Sequence, residues 1–255
     1  MTSLAGMTVV VTGGSRGIGR AAVELLLESR ANVAVLARDS EALRQTARLG
    51  AAAYAADVAD EAAVADAFTS VEQRFGDIHG LFANAGLGLL EGPLHMLPPP
   101  DWDRVIATNV RGTYLCLRET LTRMIARRHG GSLVCTSSCV AQTAIPGVGS
   151  AYHASKGAVE AMVRSVSVDY GRFGIRCNAI SPGATDTDLM WTGIDANDLD
   201  VVRQRVAESI TLGRVADPVE IARAAVWLLS SDASYVTGST VVVDGGVTVT
   251  SVLPT

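Results

Sequence analysis

Two rhythms of apolar residues alternate along the chain. Short unbroken runs recur at Met7–Thr12, Asn32–Ala37, Ala52–Ala56, Ile78–Ala83, Ser132–Ser138, Ile175–Ile180 and Ser239–Asp244. Runs of this kind, without in–out alternation, predict strands buried on both faces, as in a parallel sheet. Between them the apolar positions take a helical spacing, as at Ala21, Ala22, Leu25 and Leu26. That spacing predicts helices over Arg20–Ser29, Ser40–Leu49, Asp60–Phe75, Asp101–Arg128, Tyr152–Arg172 and Pro218–Ser230. Strand and helix alternate with no hairpin signal, so right-handed crossovers and a doubly wound α/β fold follow: a seven-stranded parallel sheet with helices on both faces. Residues 184–212 have mixed character and read as a lid. No linker or internal repeat interrupts the pattern, so residues 1–255 are expected to form one domain.

Composition narrows the partners. Of 255 residues 48% are apolar and 18% charged, with a formal net charge of −5, and no basic stretch is dense enough for a nucleic-acid surface. Met1–Gly6 lacks the basic and apolar regions of a signal peptide, and no run approaches the roughly 20 apolar residues of a membrane span. Cys116, Cys135, Cys139 and Cys177 show no CxxC spacing, which argues against zinc and against a disulfide framework. A cytoplasmic protein without a metal, a nucleic-acid partner or a membrane anchor is expected.

The first strand runs into Gly13-Gly14-Ser15-Arg16-Gly17-Ile18-Gly19, and a helix follows. Strand, glycine turn and helix N-terminus together suit a phosphate, because glycines admit the backbone closely and the helix offers free N–H groups. This is the context of a Rossmann-type dinucleotide site, although the spacing is GxxxGxG rather than GxGxxG. About 20 residues on, where a carboxylate would bind a ribose 2′-hydroxyl, the second strand ends Leu36-Ala37-Arg38-Asp39. Ala37 carries no carboxylate, and Arg38 and Arg16 would suit a 2′-phosphate, so NADP(H) is favoured. The rival is Asp39 bending back to the ribose, which would mean NAD.

Tyr152 and Lys156 stand four apart in a predicted helix and share a face. A neighbouring ammonium favours phenolate, so the Tyr152 pKa is expected to fall below its usual value, making it a general acid or base near neutral pH.

In order along the chain come Thr12-Gly13-x-x-x-Gly17-x-Gly19, Asp57, Asn84-Ala85-Gly86, Asn109, Ser138, Tyr152-x-x-x-Lys156, Pro182-Gly183 and Asp244-Gly245-Gly246. This set resembles the short-chain dehydrogenase/reductase family over Met7–Gly246. The resemblance implies hydride transfer between NADP(H) and a ketone or secondary alcohol. Tyr152 would be the proton donor or acceptor, and Lys156 would lower its pKa and bond the nicotinamide ribose. Ser138 would hold the substrate oxygen. Asn109, at a helix irregularity, would bind a water linking Lys156 to solvent. Cofactor contacts would come from Gly13, Ser15, Arg16, Gly17, Ile18 and Gly19, from Arg38, from Asp57 and Val58 at adenine, and from Asn84 at a ribose, with Ala85 and Gly86 beside it. Tyr152, Lys156, Pro182, Gly183, Thr185 and Thr187 would complete the set.

Two departures from the family pattern stand out. Ser138 and Tyr152 are fourteen positions apart, one more than usual, so by strict spacing Cys139 would take the serine place. Ser138 is preferred, because Thr136-Ser137-Ser138 closes the strand and Pro146 keeps its offset from Ser138; the extra residue then falls within Gly147–Ala151. Ala184-Thr185 replaces bulkier aliphatics after Pro182-Gly183. Met96, Leu189, Met190, Trp191 and Ile194 offer apolar lining for the substrate, with Trp191 equally suited to packing the lid. The resemblance also implies a homotetramer built on Pro218–Ser230 with Ser239–Asp244 and on Asp101–Arg128 with Tyr152–Arg172. The alternatives are a 3-oxoacyl-[acyl-carrier-protein] reductase-like enzyme, and a catalytically idle cofactor-sensing protein.

Overall fold

The computed structural model describes residues 4–88, 93–145 and 147–249. Pro146, residues 89–92 of the proline-rich loop and the tail 250–255 lie outside the described residues, and with them the Pro146 offset used above.

Seven strands are formed: β1 (Thr8–Thr12), β2 (Asn32–Ala37), β3 (Ala52–Ala55), β4 (Gly80–Ala83), β5 (Gly131–Thr136), β6 (Ile175–Pro182) and β7 (Thr240–Val243). They lie in the order β3-β2-β1-β4-β5-β6-β7, and every pairing is parallel. Side chains of a strand alternate between faces, so each unbroken apolar run feeds two cores. Val10, Leu36, Leu81 and Leu133 pack on one side against α3 (Glu61–Phe75), α5 (Gly112–Arg127) and α6 (Ser150–Tyr170). Val9, Val11, Val35, Phe82, Val134 and Ile180 pack on the other against α1 (Gly17–Glu28), α2 (Glu41–Arg48) and α8 (Pro218–Leu229). The chain leaves β1 toward β2 on one side, and β4 returns on the other. This reversal opens a crevice at the C-terminal ends of β1 and β4, where ligands of such sheets bind.

The helix expected over Asp101–Arg128 is interrupted. It consists of α4 (Pro99–Ile106), a π turn at Ala107–Arg111 and α5, with Arg128 in the left-handed conformation at its end (φ 57°). A π turn adds a residue to the helical repeat and rotates the side chains within it. Here it brings Asn109 inside, with 1% of its surface exposed. The lid contains α7 (Leu199–Glu208) and is tied to the body by a parallel bridge between Thr185 and Ala216.

Candidate active site

α1 begins at Gly17 with Arg16 as N-cap. No side chain caps it, and no acidic residue occupies its first turn, so its leading amides face the crevice without a carboxylate. The glycines before it are demanded by packing as well as by ligand approach. A Cβ on Gly13 (φ 65°) would lie 2.8 Å from the Ala85 Cα, and one on Gly19 would overlap the Gly13 carbonyl and come within 2.6 Å of the Asn84 amide. A Cβ on Gly17 would meet Thr187 of the lid at 2.9 Å, so Thr187 lies directly over the turn. Pro182-Gly183 abuts Asp244, whose Cα is 2.7 Å from a Cβ placed on Gly183. Asp244 in turn accepts from the Gly246 amide and from the amide and hydroxyl of Thr248.

The other residues read as cofactor contacts have definite surroundings. Thr12 Oγ1 accepts from the Asn84 and Ala85 amides, both at 3.0 Å, and fixes the end of β4 to that of β1. Asn84 continues the join: its amide donates to the Thr12 and Gly13 carbonyls, and its Oδ1 accepts from Thr136 Oγ1 at 3.1 Å. The Asn84 side chain is therefore occupied by the ends of β1 and β5, and what Asn84 offers a ligand is its main chain. Val58 is limited in the same way. Its side chain is buried against Gly112, so a contact to adenine falls to its backbone. Asp57 is exposed and accepts from the Ala59 amide. Ser15 and Ile18 lie in the glycine turn, and Thr185 is buried with its hydroxyl on the Gly183 carbonyl. At the end of β2, Asp39 is held by Arg44 at 2.8 Å, while Arg38 is exposed with no carboxylate partner among the described residues. Arg16 pairs with Asp188 of the lid at 3.3 Å.

The end of β5 and the first two turns of α6 bring together the residues read as catalytic. Ser138 lies just past β5 in extended backbone and caps a 3-10 turn at Cys139–Ala141. Its hydroxyl lies close enough to the Tyr152 phenol to act against the rise of the phenol's pKa, and the Cys139 thiol beside it is buried. Lys156, 3% exposed, donates from Nζ to the Thr136 carbonyl at 2.8 Å, with the ammonium 5.4 Å from the Tyr152 ring centroid. Asn109 donates to the Leu87 carbonyl at 2.9 Å and to Ser155 Oγ at 3.0 Å, and its Oδ1 accepts from the Leu87 amide at 2.9 Å. A Cβ on Gly86 would stand 3.3 Å from Asn109 Oδ1 and 3.6 Å from Lys156 Nζ, so both groups border that glycine.

The electrostatics differ from the expectation. Tyr152 keeps part of its ring exposed, yet burial of the phenol pushes its pKa up to about 12, against the opposing Ser138 hydrogen bond and with the help of the Cys139 thiol. Burial lowers Lys156 to about 8. Desolvation is the largest cause at both groups and drives them toward their neutral forms. The expected fall of the Tyr152 pKa is corrected to a rise.

Toward residues 184–212, a Cβ on Gly88 would meet Leu189 Cδ1 at 3.7 Å and the Tyr152 ring at 3.8 Å, so Leu189 and the Tyr152 ring both border that glycine. Trp191 packs the lid instead: its Nε1 donates to Asp186 at 2.6 Å, and Arg203 stacks on its ring while donating to the same carboxylate at 2.7 Å. Thr136, Ser155 and Gly88 escaped the sequence reading. Thr136 acts on Lys156 through a backbone carbonyl, which leaves no signature in residue type. Ser155, next to Lys156, could have been found from its place inside the Tyr–Lys interval.

A family model described as Enoyl-(Acyl carrier protein) reductase matches residues 13–248. The chain is 40% identical over 252 residues, 97% of its length and 99% of the relative's, to a 2,5-dichloro-2,5-cyclohexadiene-1,4-diol dehydrogenase of Sphingobium indicum. A crystal structure of levodione reductase superposes with a TM-score of 0.92 at 33% identity, over 96% of this chain and 98% of that one. A 3-ketoacyl-(acyl-carrier-protein) reductase from Brucella melitensis complexed with NADH superposes at 0.89 with 29% identity, over 96% of this chain and 100% of that one. A parallel sheet with a glycine turn at its switch point, a Tyr152–Lys156 pair at the end of β5 and similarity along nearly the whole chain lead to one assignment: the chain belongs to the short-chain dehydrogenase/reductase family, NAD(P)-dependent oxidoreductases, and acts on the CH–OH group.

Proposed function

We propose that the protein is an NADP(H)-dependent ketoreductase. The observation that carries this reading is the meeting of three groups: the Lys156 ammonium 5.4 Å from the Tyr152 ring centroid, and the Ser138 hydroxyl beside the phenol. The cofactor, when bound, supplies the hydride to a carbonyl carbon. The protein's own task is the proton. Tyr152, whose phenol burial keeps protonated, donates from its hydroxyl to the carbonyl oxygen in reduction and takes the proton back in oxidation. Ser138 donates to the same oxygen and stabilises the negative charge that grows there. Lys156 brings a cation to the Tyr152 ring, which stabilises the charge left on the phenol. Asn109 Oδ1 has a second lone pair free to hold a water toward Lys156, a path for returning the proton.

The choice of NADP(H) rests on Arg38. Asp39 is neutralised by Arg44, whereas Arg38 has no such partner among the described residues, so a phosphate would meet an unpaired cation there and a ribose hydroxyl a carboxylate already engaged. The uncapped start of α1 would take the pyrophosphate, with Thr187 above the glycine turn. Residues 1–255 act as one catalytic domain, with residues 184–212 as its lid. Four buried free cysteines favour a reducing, cytoplasmic setting.

Assembly as a homotetramer is part of the proposal. Trp227 on α8 and Val242 on the edge strand β7 are 40% and 39% exposed, and Tyr114 on α5 and Val168 on α6 are 47% and 82% exposed, at the two surfaces the family resemblance implies. Sedimentation at micromolar concentration is expected to give four chains, and an active monomer would refute it. Turnover of a ketone panel, including a 3-oxoacyl thioester, with NADPH and NADH tests the function. Preferred reduction of a free ketone with NADPH is expected. Preference for the thioester would make the chain a 3-oxoacyl reductase, and no turnover of any ketone or alcohol would leave an idle cofactor-binding protein.

A further inference from the structure

On α6, Tyr152, Lys156 and Glu160 follow at intervals of four and share one side of the helix. Glu160 has no place in the chemistry proposed above, yet it is 9% exposed. A carboxyl group enclosed to that degree is unfavourable unless hydrogen bonds satisfy it. Its Oε1 accepts from the Ser137 hydroxyl at 2.9 Å and faces the Gln142 amide at 3.5 Å. Ser137, 1% exposed, also reaches the Lys156 carbonyl at 3.4 Å.

These contacts bracket one short segment. Ser137 immediately precedes Ser138, and Gln142 closes the 3-10 turn that Ser138 caps. Between them, the hydrogen bonds of the segment among the described residues are those of its own turn, such as Ala141 N–H to the Ser138 carbonyl at 2.9 Å. Glu160 thus grips both ends of the segment that presents Ser138, and it does so from the helix that presents Tyr152 and Lys156. We infer that Glu160 is a positioning residue, which fixes the Ser138 hydroxyl beside the Tyr152 phenol by clamping residues 137–142 onto α6. The inference rests on the role proposed for Ser138. Its physical content is that a hydroxyl which must meet the substrate oxygen and the phenol together tolerates little displacement, since misplacement of about 1 Å can cost on the order of 100-fold in rate.

The test compares Glu160→Ala, Glu160→Gln and Ser137→Ala, each alone and combined with Ser138→Ala, in the full-length protein. Glu160→Ala and Ser137→Ala are expected to lower kcat by about 10- to 100-fold while leaving cofactor affinity, read by fluorescence titration, within about twofold. Glu160→Gln keeps an acceptor at Oε1 and is expected to restore most of the kcat. In the Ser138→Ala background, Glu160→Ala should cause no further loss, because the group it positions is gone. Losses that add in the double variant, a normal kcat in Glu160→Ala, or a Glu160→Gln as impaired as Glu160→Ala would each overturn the inference while leaving the role of Ser138 standing. A Ser138→Ala protein with normal kcat would overturn that role and the inference together. Should Glu160→Ala fail to fold, Ser137→Ala tests the same contact from the other side.

Discussion

Lys156 is moored to Thr136: its ammonium donates to that backbone carbonyl at 2.8 Å, so the cation on α6 is anchored to the end of β5. The bond keeps the charge against the Tyr152 ring, but one neutral acceptor does not offset the loss of water around a buried ammonium.

A pH dependence of stability follows. Burial lowers the Lys156 pKa from 10.5 to about 8 in the folded chain. The folded state binds fewer protons than the unfolded one between these values, so the destabilisation is complete below about pH 8 and is relieved as the pH rises toward 10.5. A shift of this size corresponds to about 3 kcal/mol. Lys156→Met is expected to be more stable than the wild type near pH 7, with the gap narrowing toward pH 10. Urea midpoints at the two pH values check it, and a gap that widens with pH would contradict it.

Tyr152→Phe removes the hydroxyl that exchanges the proton and little else. Turnover is expected to fall by about 10²- to 10⁴-fold with cofactor binding nearly intact. Ser138→Ala should lose more activity than Cys139→Ala, since the Ser138 hydroxyl meets the phenol and the Cys139 thiol is buried. Steady-state kinetics on the three variants decide both points, and the reverse order for 138 and 139 would move the substrate-oxygen role to Cys139.

Arg38→Leu should reduce kcat/KM for NADPH by about tenfold or more, the scale of a charge-assisted contact to a phosphate, and leave NADH nearly unaffected. An equal effect on both cofactors would remove Arg38 from the 2′-phosphate site and bring Asp39 forward, freed from Arg44.

Gly19→Ala is expected to destabilise the chain even without cofactor. The added methyl group overlaps the Gly13 carbonyl and crowds the Asn84 amide, and overpacking of this kind costs about 1–3 kcal/mol. Thermal unfolding of the cofactor-free variant measures it. An unchanged Tm combined with weakened cofactor binding would mean that Gly19 serves the ligand alone.

Read alone, the sequence determined the parallel sheet and the shared face of Tyr152 and Lys156. Both are consequences of local periodicity: a strand covered on both sides must be apolar at every position, and residues four apart in a helix must stack. It also revealed Asn109 as an amide out of place in a helix, and the π turn that turns it inward is the structural counterpart of that misfit. What depended on neighbours distant in the chain was decided only by the tertiary structure. The Asn84 side chain is held by the ends of β1 and β5, and Asp39 is neutralised by Arg44 while Arg38 has no carboxylate partner among the described residues. The Tyr152 pKa moved opposite to the expectation for the same reason. The helix sets how near Lys156 stands, but the depth at which the phenol and the ammonium are buried is set by β5, Ser138 and Cys139 packed around them, and here desolvation is the larger effect.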